Sequence, residues 1–141
     1  MDLAARRARC IIVDDSETFI EAAREVLEEQ GLSIVEAVHT GAEAVVRVRE
    51  LLPEVVLLDV NLAGESGFDV AHLLHQDGSG TASTIIMIST RREDDFTDLI
   101  AASPAVGFVA KASLTAAIIC ELHERRRGRN PADVEQRADD R

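Results

Sequence analysis

The sequence predicts an α/β fold in which a five-stranded parallel sheet is doubly wound, with helices on both faces in a three-layer (βα)5 sandwich. Short apolar runs alternate along the chain with segments of helical periodicity, and parallel neighbours need such crossover connections. The strongest run, Val55 to Val60, carries no polar residue until Asp59, as a strand covered on both faces should. The apolar content is aliphatic: hydrophobic residues make up 46% of the 141, and the only aromatics are four Phe. That composition suits helices packed on a sheet.

Each element has a local reason. Cys10 to Val13 is a short apolar run that stops at a pair of acids, a buried strand ending in a loop. From Ser16 to Gln30, Phe19, Ile20, Ala23, Val26 and Leu27 recur at helical spacing, and Gly31 supplies the stop. Leu32 to Val38 is β-rich. Thr40-Gly41-Ala42-Glu43 is a capping-box pattern opening a helix that must end before Pro53. After the 55–60 strand comes a glycine-containing loop through Gly64, then a helix over Gly67 to Gln76 and turn chemistry over Asp77 to Ser83. Thr84 to Ser89 is another buried strand. Asp94 to Ala102 is a short helix, and Val106 to Ala110 the last strand. Ser113 is read as the cap of a final helix whose face is Leu114, Ala117, Ile118 and Leu122. The domain is expected over residues 8–124, between a flexible N-terminus at 1–7 and a mobile tail at 125–141 that carries no output domain.

Charge and cysteine usage exclude several functions. Residues 1–124 carry 9 basic and 22 acidic side chains, net −13, so the folded part repels polyanions and direct nucleic-acid binding is not expected. With so few aromatics, a stacking surface for single strands is missing too. Cys10 and Cys120 lie far apart with no metal-finger spacing, which indicates a reduced, cytoplasmic setting. No apolar stretch approaches the ~20 residues of a membrane span. His72 and His75 stand three apart on one helix, but without a further ligand nearby they read as surface histidines.

In a doubly wound sheet, ligands collect beyond the carboxyl ends of the strands. Asp14 and Asp15 close the first strand, Asp59 lies near the end of the third, Ser89 ends the fourth, and Lys111, the only lysine, follows the fifth. Two carboxylates ~4 Å apart repel by about 4 kcal/mol at an effective dielectric of ~20, so a cation belongs among them. A hard divalent ion, Mg2+ or Mn2+, accepts carboxylates, a carbonyl and waters, and leaves a place for a phosphoryl oxygen. Lys111 adds positive charge and the Ser89 hydroxyl a donor, which leaves Asp59 free to attack phosphorus in line. The product would be an aspartyl phosphate.

These residues resemble the response-regulator receiver domains of two-component signalling, over about 8–124. The resemblance rests on VDDS at 13–16, LLDVNLAGESG at 57–67, IMIST at 86–90 and GFVAKAS at 107–113. It implies a flavodoxin-like strand order 2-1-3-4-5. It also implies that Asp59 is the phosphoacceptor, that Asp15 and the main-chain carbonyl of Asn61 bind Mg2+ with Asp59, and that Asp14 holds metal-bound water or Lys111. Ser89 and Lys111 would grip the phosphoryl group, and Phe108 would hold the switch-aromatic position.

Four positions depart from the family pattern. Ala63 replaces a common proline, which predicts a looser loop after the acceptor. Ala112 follows Lys111 where proline is frequent, so that bond is expected trans. Thr90 stands where a smaller residue is common and would restrict attacking water. Phe108 lacks a tyrosine's hydroxyl, so its movement must rest on packing.

The leading functional reading is a single-domain response regulator. A sensor histidine kinase or histidine phosphotransfer protein would phosphorylate Asp59 and so switch the surface of the fourth helix, last strand and last helix. Only 17 residues follow position 124, so output is expected through a protein partner, a homodimer or onward phosphorelay. It would not be an enzyme beyond catalysing its own phosphorylation and dephosphorylation. A haloacid-dehalogenase-like hydrolase needs an acid two residues after its nucleophile, where Asn61 stands. The alternatives are a phosphorylation-independent interaction module, or a receiver fragment of a larger regulator.

Overall fold

The computed structural model describes residues 7–77 and 82–128. The expected flexible N-terminus falls almost wholly outside those residues, as do most of the 77–83 turn and residues 129–141 of the expected tail.

Strands β1 (Arg9–Val13), β2 (Ser33–Val38), β3 (Val55–Asp59), β6 (Thr84–Ser89) and β7 (Gly107–Ala110) form one parallel sheet in the order β2-β1-β3-β6-β7. Counting only these five, the order is the 2-1-3-4-5 that the resemblance implies. The two short strands that complete the numbering, β4 (Asn61–Leu62) and β5 (Glu65–Ser66), pair antiparallel as a hairpin of their own.

Helices α1 (Glu17–Glu29) and α5 (Ala116–Arg127) cover one face, and α2 (Gly41–Leu51) and α3 (Gly67–Asp77) the other. Alternate strand residues therefore serve two cores. Ile12, Leu57, Ile86 and Ile88 pack with Ile20, Leu27, Ile119 and Leu122, while Ile11, Val13, Leu58 and Met87 pack with Ala44, Val48, Val70 and Leu74. Burying each large side chain contributes roughly 1.5–3 kcal/mol, so strand centres covered on both faces anchor the sheet rigidly below its carboxyl edge.

The helix starts follow capping chemistry. Ser16 Oγ accepts from Phe19 N at 3.2 Å, and Thr40 Oγ1 accepts from Glu43 N at 3.1 Å. Helix α2 stops at Leu52, which takes φ 47° immediately before Pro53. A residue before proline is driven out of the right-handed helical region, which explains the break.

Two readings of the chain's last helix need correction. Its N-cap is Thr115, whose hydroxyl accepts from Ile118 N at 3.2 Å; Ser113 lies in a short 3-10 turn over Lys111–Ser113. The buried face is accordingly Ala116, Ile119, Leu122 and His123, with Ala117 exposed. Arg125, Arg126 and Arg127, assigned to the tail, form the last turn of α5, where cations complement the helix dipole. The expected 94–102 helix is a 3-10 turn over Glu93–Phe96 continuing into α4 (Thr97–Ala101).

The loop after Asp59, where the lack of proline predicted a looser chain, is a hairpin turn. Ala63 and Gly64 are the two turn residues between paired Leu62 and Glu65, with φ 41° and 93°. Positive φ at both central residues is the signature of a type I′ turn, whose twist suits a hairpin. Proline, fixed near −65°, could not occupy position 63 in this turn. Immediately beyond the hairpin, Gly67 is required by space: a Cβ there would lie 1.9 Å from the carbonyl oxygen of Asp59. The chain thus returns tightly against the end of β3.

Candidate functional site: an acidic cluster at the sheet's carboxyl edge

Sheet register brings the predicted residues together. Val13 aligns with Leu58, Asp59 with Ile88, and Ser89 with Ala110, so Asp14, Asp59, Ser89 and Lys111 emerge within one step of each other on adjacent strands. Asp14 is fully buried, Asp59 and Ser89 are nearly so, and Asp15 is exposed. Asp14 Oδ1 accepts from Ser16 N at 2.8 Å, which ties the acidic pair to the α1 cap. Asp59 Oδ1 accepts from Asn61 N at 3.0 Å, and Asp59 Oδ2 accepts from Lys111 Nζ at 3.1 Å.

Lys111 is the hub. Its ammonium lies 2.6 Å from Asp14 Oδ2 as well as 3.1 Å from Asp59 Oδ2, with only 11% of the side chain exposed. It also sits 4.3 Å from the ring centroid of Phe19, a cation–π contact that limits where the ammonium can point. Burial works against the charged lysine, but the adjacent carboxylates of Asp14 and Asp59 outweigh it and raise its pKa above the ordinary value. Burial raises the pKa of Asp59, the Asn61 amide pulls it back, and the nearby Asp14 charge raises it further.

The residues present fit a hard divalent cation. Oxygens of Asp14, Asp15 and Asp59 lie within 4.8 Å of one another, the only such group among the described residues. Asp14 Oδ2 is buried, and although the ammonium is close, the contact is not aligned as a hydrogen bond, so this oxygen retains unused acceptor capacity. An all-oxygen donor set matches Mg2+ or Mn2+ rather than a thiolate-seeking metal. Burial pushes the Cys10 thiol up to about 12, which disfavours the thiolate that a soft metal would need.

Above the cluster is a cavity of about 330 Å³ lined by Asp15, Asp59, Asn61, Ser89, Thr90 and Lys111, with Ala63, Arg91 and Phe96 on the same wall. Ser89 Oγ accepts from Arg91 N at 3.0 Å, so its own proton remains available to an incoming oxygen. Thr90 lines the cavity and is exposed. The Lys111–Ala112 bond is trans, as expected.

Phe108, on β7, is partly buried and stacks on Phe96 at 5.9 Å between centroids; Phe96 in turn meets Phe68 at 6.0 Å, and the Arg91 guanidinium lies 5.4 Å above its ring. Sequence reasoning missed Arg91 and Phe96 as site residues and read Phe19 only as part of a core face. These contacts span distant segments and have no period. The one signal was the adjacency of Arg91 to the IMIST motif. His72 and His75 are both exposed and belong to no metal group among the described residues.

Comparisons agree with this geometry. The family model for the response regulator receiver domain matches residues 10–122. Protein PilH of Pseudomonas aeruginosa is 32% identical over 87 residues, 62% of this chain and 71% of that protein. The DNA-binding transcriptional activator EvgA of Escherichia coli is 30% identical over 118 residues, 84% of this chain, and the chain spans only 57% of EvgA's length. Among solved structures, the receiver domain of the putative response regulator NarL from Mycobacterium tuberculosis has the same fold, with TM-score 0.75 at 23% identity over 84% of this chain and 97% of that one.

Proposed function

The chain belongs to the response regulator receiver domains, and from that premise we propose that it is a phosphorylation-operated switch whose acceptor is Asp59. The observation that carries the reading is the placement of the Lys111 ammonium within 3.1 Å of Asp59 and 2.6 Å of Asp14, beside a third carboxylate, at the mouth of a cavity.

Asp15, Asp59, the Asn61 carbonyl and, through water, Asp14 would hold the divalent cation. When bound, that ion supplies positive charge for the phosphoryl oxygens. The remaining work falls to the chain. One carboxylate oxygen of Asp59 attacks phosphorus, the O–P bond forms as the P–N bond of a phosphohistidine breaks, and the imidazole leaves with the electron pair and takes a proton from solvent. Lys111 and the Ser89 hydroxyl receive the phosphoryl oxygens. Asn61, two residues on, has no titratable group to protonate the leaving alcohol of a phosphate ester, so multiple turnover as a phosphatase is not expected.

Phosphorylation adds about −1.5 to −2 charge beside Lys111. Ser89 then gains a new acceptor, and the Ser89–Arg91 hydrogen bond couples its movement to the segment carrying Arg91, whose guanidinium rests on Phe96 and so on Phe108. The surface of α4, β7 and α5 is the output face in this reading. Its donor is a sensor histidine kinase or histidine phosphotransfer protein, and its receiver a protein partner or second copy. No described helix is long and apolar enough to cross a membrane; the cytoplasmic placement we propose rests instead on the spacing of Cys10 and Cys120, which suits a reducing compartment. A second reading, the receiver part of a longer regulator, is favoured by EvgA, a DNA-binding activator of which this chain spans 57%; the net −13 of residues 1–124 still argues against DNA contact by this domain itself.

Incubation with a small-molecule phosphodonor and Mg2+, followed by intact mass, tests the acceptor. A single phosphoryl adduct is expected in the wild type and none in Asp59→Asn. An adduct that survives the substitution, or none in the wild type, overturns the assignment. Partner affinity that is identical with and without phosphodonor would favour the phosphorylation-independent module.

A further inference from the structure

Resting on the receiver reading above, we propose that Glu65 is a positioning residue: its carboxylate clamps the β4–β5 hairpin to the first turn of α2 and thereby sets the Asn61 end of that hairpin against the acidic cavity. Glu65 Oε1 accepts from Gly41 N at 2.9 Å, across 24 residues of sequence. Gly41 opens α2 directly after the Thr40 cap, where main-chain N–H groups lack helical partners and the helix dipole favours an anion. The fit is close. A Cβ at Gly41 would meet Glu65 Oε2 at 2.6 Å, so the missing side chain at 41 is what admits the carboxylate.

The hairpin needs such an anchor. It pairs only Asn61 with Ser66 and Leu62 with Glu65, and its turn places a non-glycine residue, Ala63, at φ 41°. Two paired residues and a left-handed alanine do not hold a shape by themselves. Tertiary contacts supply it: Leu62 is buried in the α2/α3 core, Gly67 N donates to Val60 O at 2.7 Å, and Glu65 reaches α2. Because Leu62 and Glu65 are cross-strand partners, the Glu65 contact fixes the strand that carries Asn61, whose N–H holds Asp59 Oδ1 and whose residue lines the cavity. Partners bonded directly to metal ligands change metal affinity by about 10–100-fold in other sites, and Glu65, which acts one contact further out through the hairpin, is expected at the low end of that range.

The test is calorimetric titration of Mg2+ into the full chain for wild type, Glu65→Ala and Glu65→Gln. Phosphoryl uptake on the same samples is read by intact mass, and amide exchange is measured at Gly41. Glu65→Ala should bind Mg2+ about tenfold more weakly and exchange faster at Gly41. Glu65→Gln, whose amide oxygen still accepts from Gly41, should stay within roughly threefold of wild type. Glu65→Gln falling as far as Glu65→Ala would point to net charge and overturn the clamp, as would Glu65→Ala behaving like wild type. A wild type that neither binds Mg2+ nor takes a phosphoryl group would instead overturn the receiver reading, and the clamp with it.

Discussion

Replacing Lys111 by methionine isolates the electrostatics of the site, because methionine keeps much of the stem and removes the charge. The ammonium lies 2.6 Å from Asp14 and 3.1 Å from Asp59. At an effective dielectric of ~20 those separations correspond to roughly 6 and 5 kcal/mol of attraction. Much of that offsets the several kcal/mol lost when the ammonium leaves water. What remains after the substitution is two buried carboxylates with no cation, a situation that costs about 3–5 kcal/mol in measured cases. Lys111→Met should therefore lose about 3–5 kcal/mol in EDTA near neutral pH. Urea unfolding followed by far-UV circular dichroism measures it, since the chain has no Trp or Tyr for fluorescence. The loss should shrink with acid. A carboxyl stripped of its cation has a folded pKa raised above the unfolded value, so the native state takes up a proton first and gains stability as pH falls through that pKa. Added Mg2+ should narrow the gap in the same way. A variant within about 0.5 kcal/mol of wild type in EDTA, or a gap independent of pH, would refute the claim that Lys111 neutralises the cluster.

Other perturbations test separate parts of the structure. His123 is buried, with Nδ1 2.6 Å from Thr84 Oγ1, and burial lowers its pKa despite the opposing charge of Glu124. Below its ordinary value the unfolded chain binds a proton that the native state refuses, so stability should fall from about pH 6.5 down to the folded pKa and then level off. His123→Gln should flatten that segment of the urea-midpoint profile, and superimposable profiles would show the reasoning to be wrong. Thr115→Ala should cost about 1 kcal/mol and Ser113→Ala less than about 0.5, which thermal unfolding can rank; the reverse order would restore Ser113 as the cap. Ala63→Gly should stabilise by about 1 kcal/mol by relieving the left-handed alanine, whereas an unchanged or lower Tm would argue against positive φ at that position.

Strands β1, β3 and β6 were legible because each is a nearly unbroken aliphatic run, as burial on both faces demands, whereas the half-buried edge strands β2 and β7 were legible from β-rich segments between helical ones. The α1 and α2 starts were legible because Ser16 and Thr40 each precede helical periodicity with an acid in the first turn, Glu17 and Glu43. At the last helix Ser113 and Thr115 both qualify as caps. The choice turns on which face packs, and Ala116 and Ile119 fit the sheet only when Thr115 begins the helix. The hairpin was hidden for another reason: with only two residues per strand it has no periodicity to read, and alanine is an improbable residue for its turn.

The candidate site was more legible than its surroundings because its position follows from where the apolar runs stop. In a parallel sheet, neighbouring strands that end in register deliver their next residues to one edge, and the pairings Val13 with Leu58, Asp59 with Ile88 and Ser89 with Ala110 do this for Asp14, Asp59, Ser89 and Lys111. Run ends are visible in a sequence, so a charge that follows a run can be placed before any contact is known. Phe19 and Phe96 carry no such marker, and Arg91 has only its adjacency to the run that ends at Ser89. Each reaches the site from a helix or turn whose angle to the sheet is set by packing, and packing partners such as Phe68 for Phe96 lie 28 residues away in the chain. The same division holds for function. In the proposed reading the strand ends would assemble the phosphoryl-transfer site, while the contacts that would tune it, Phe19 against Lys111, Arg91 over Phe96 and Glu65 at Gly41, sit where only tertiary structure brings them together. Substitutions at these latter positions should therefore change how strongly the switch is driven, whereas those at the strand ends decide whether it can be thrown at all.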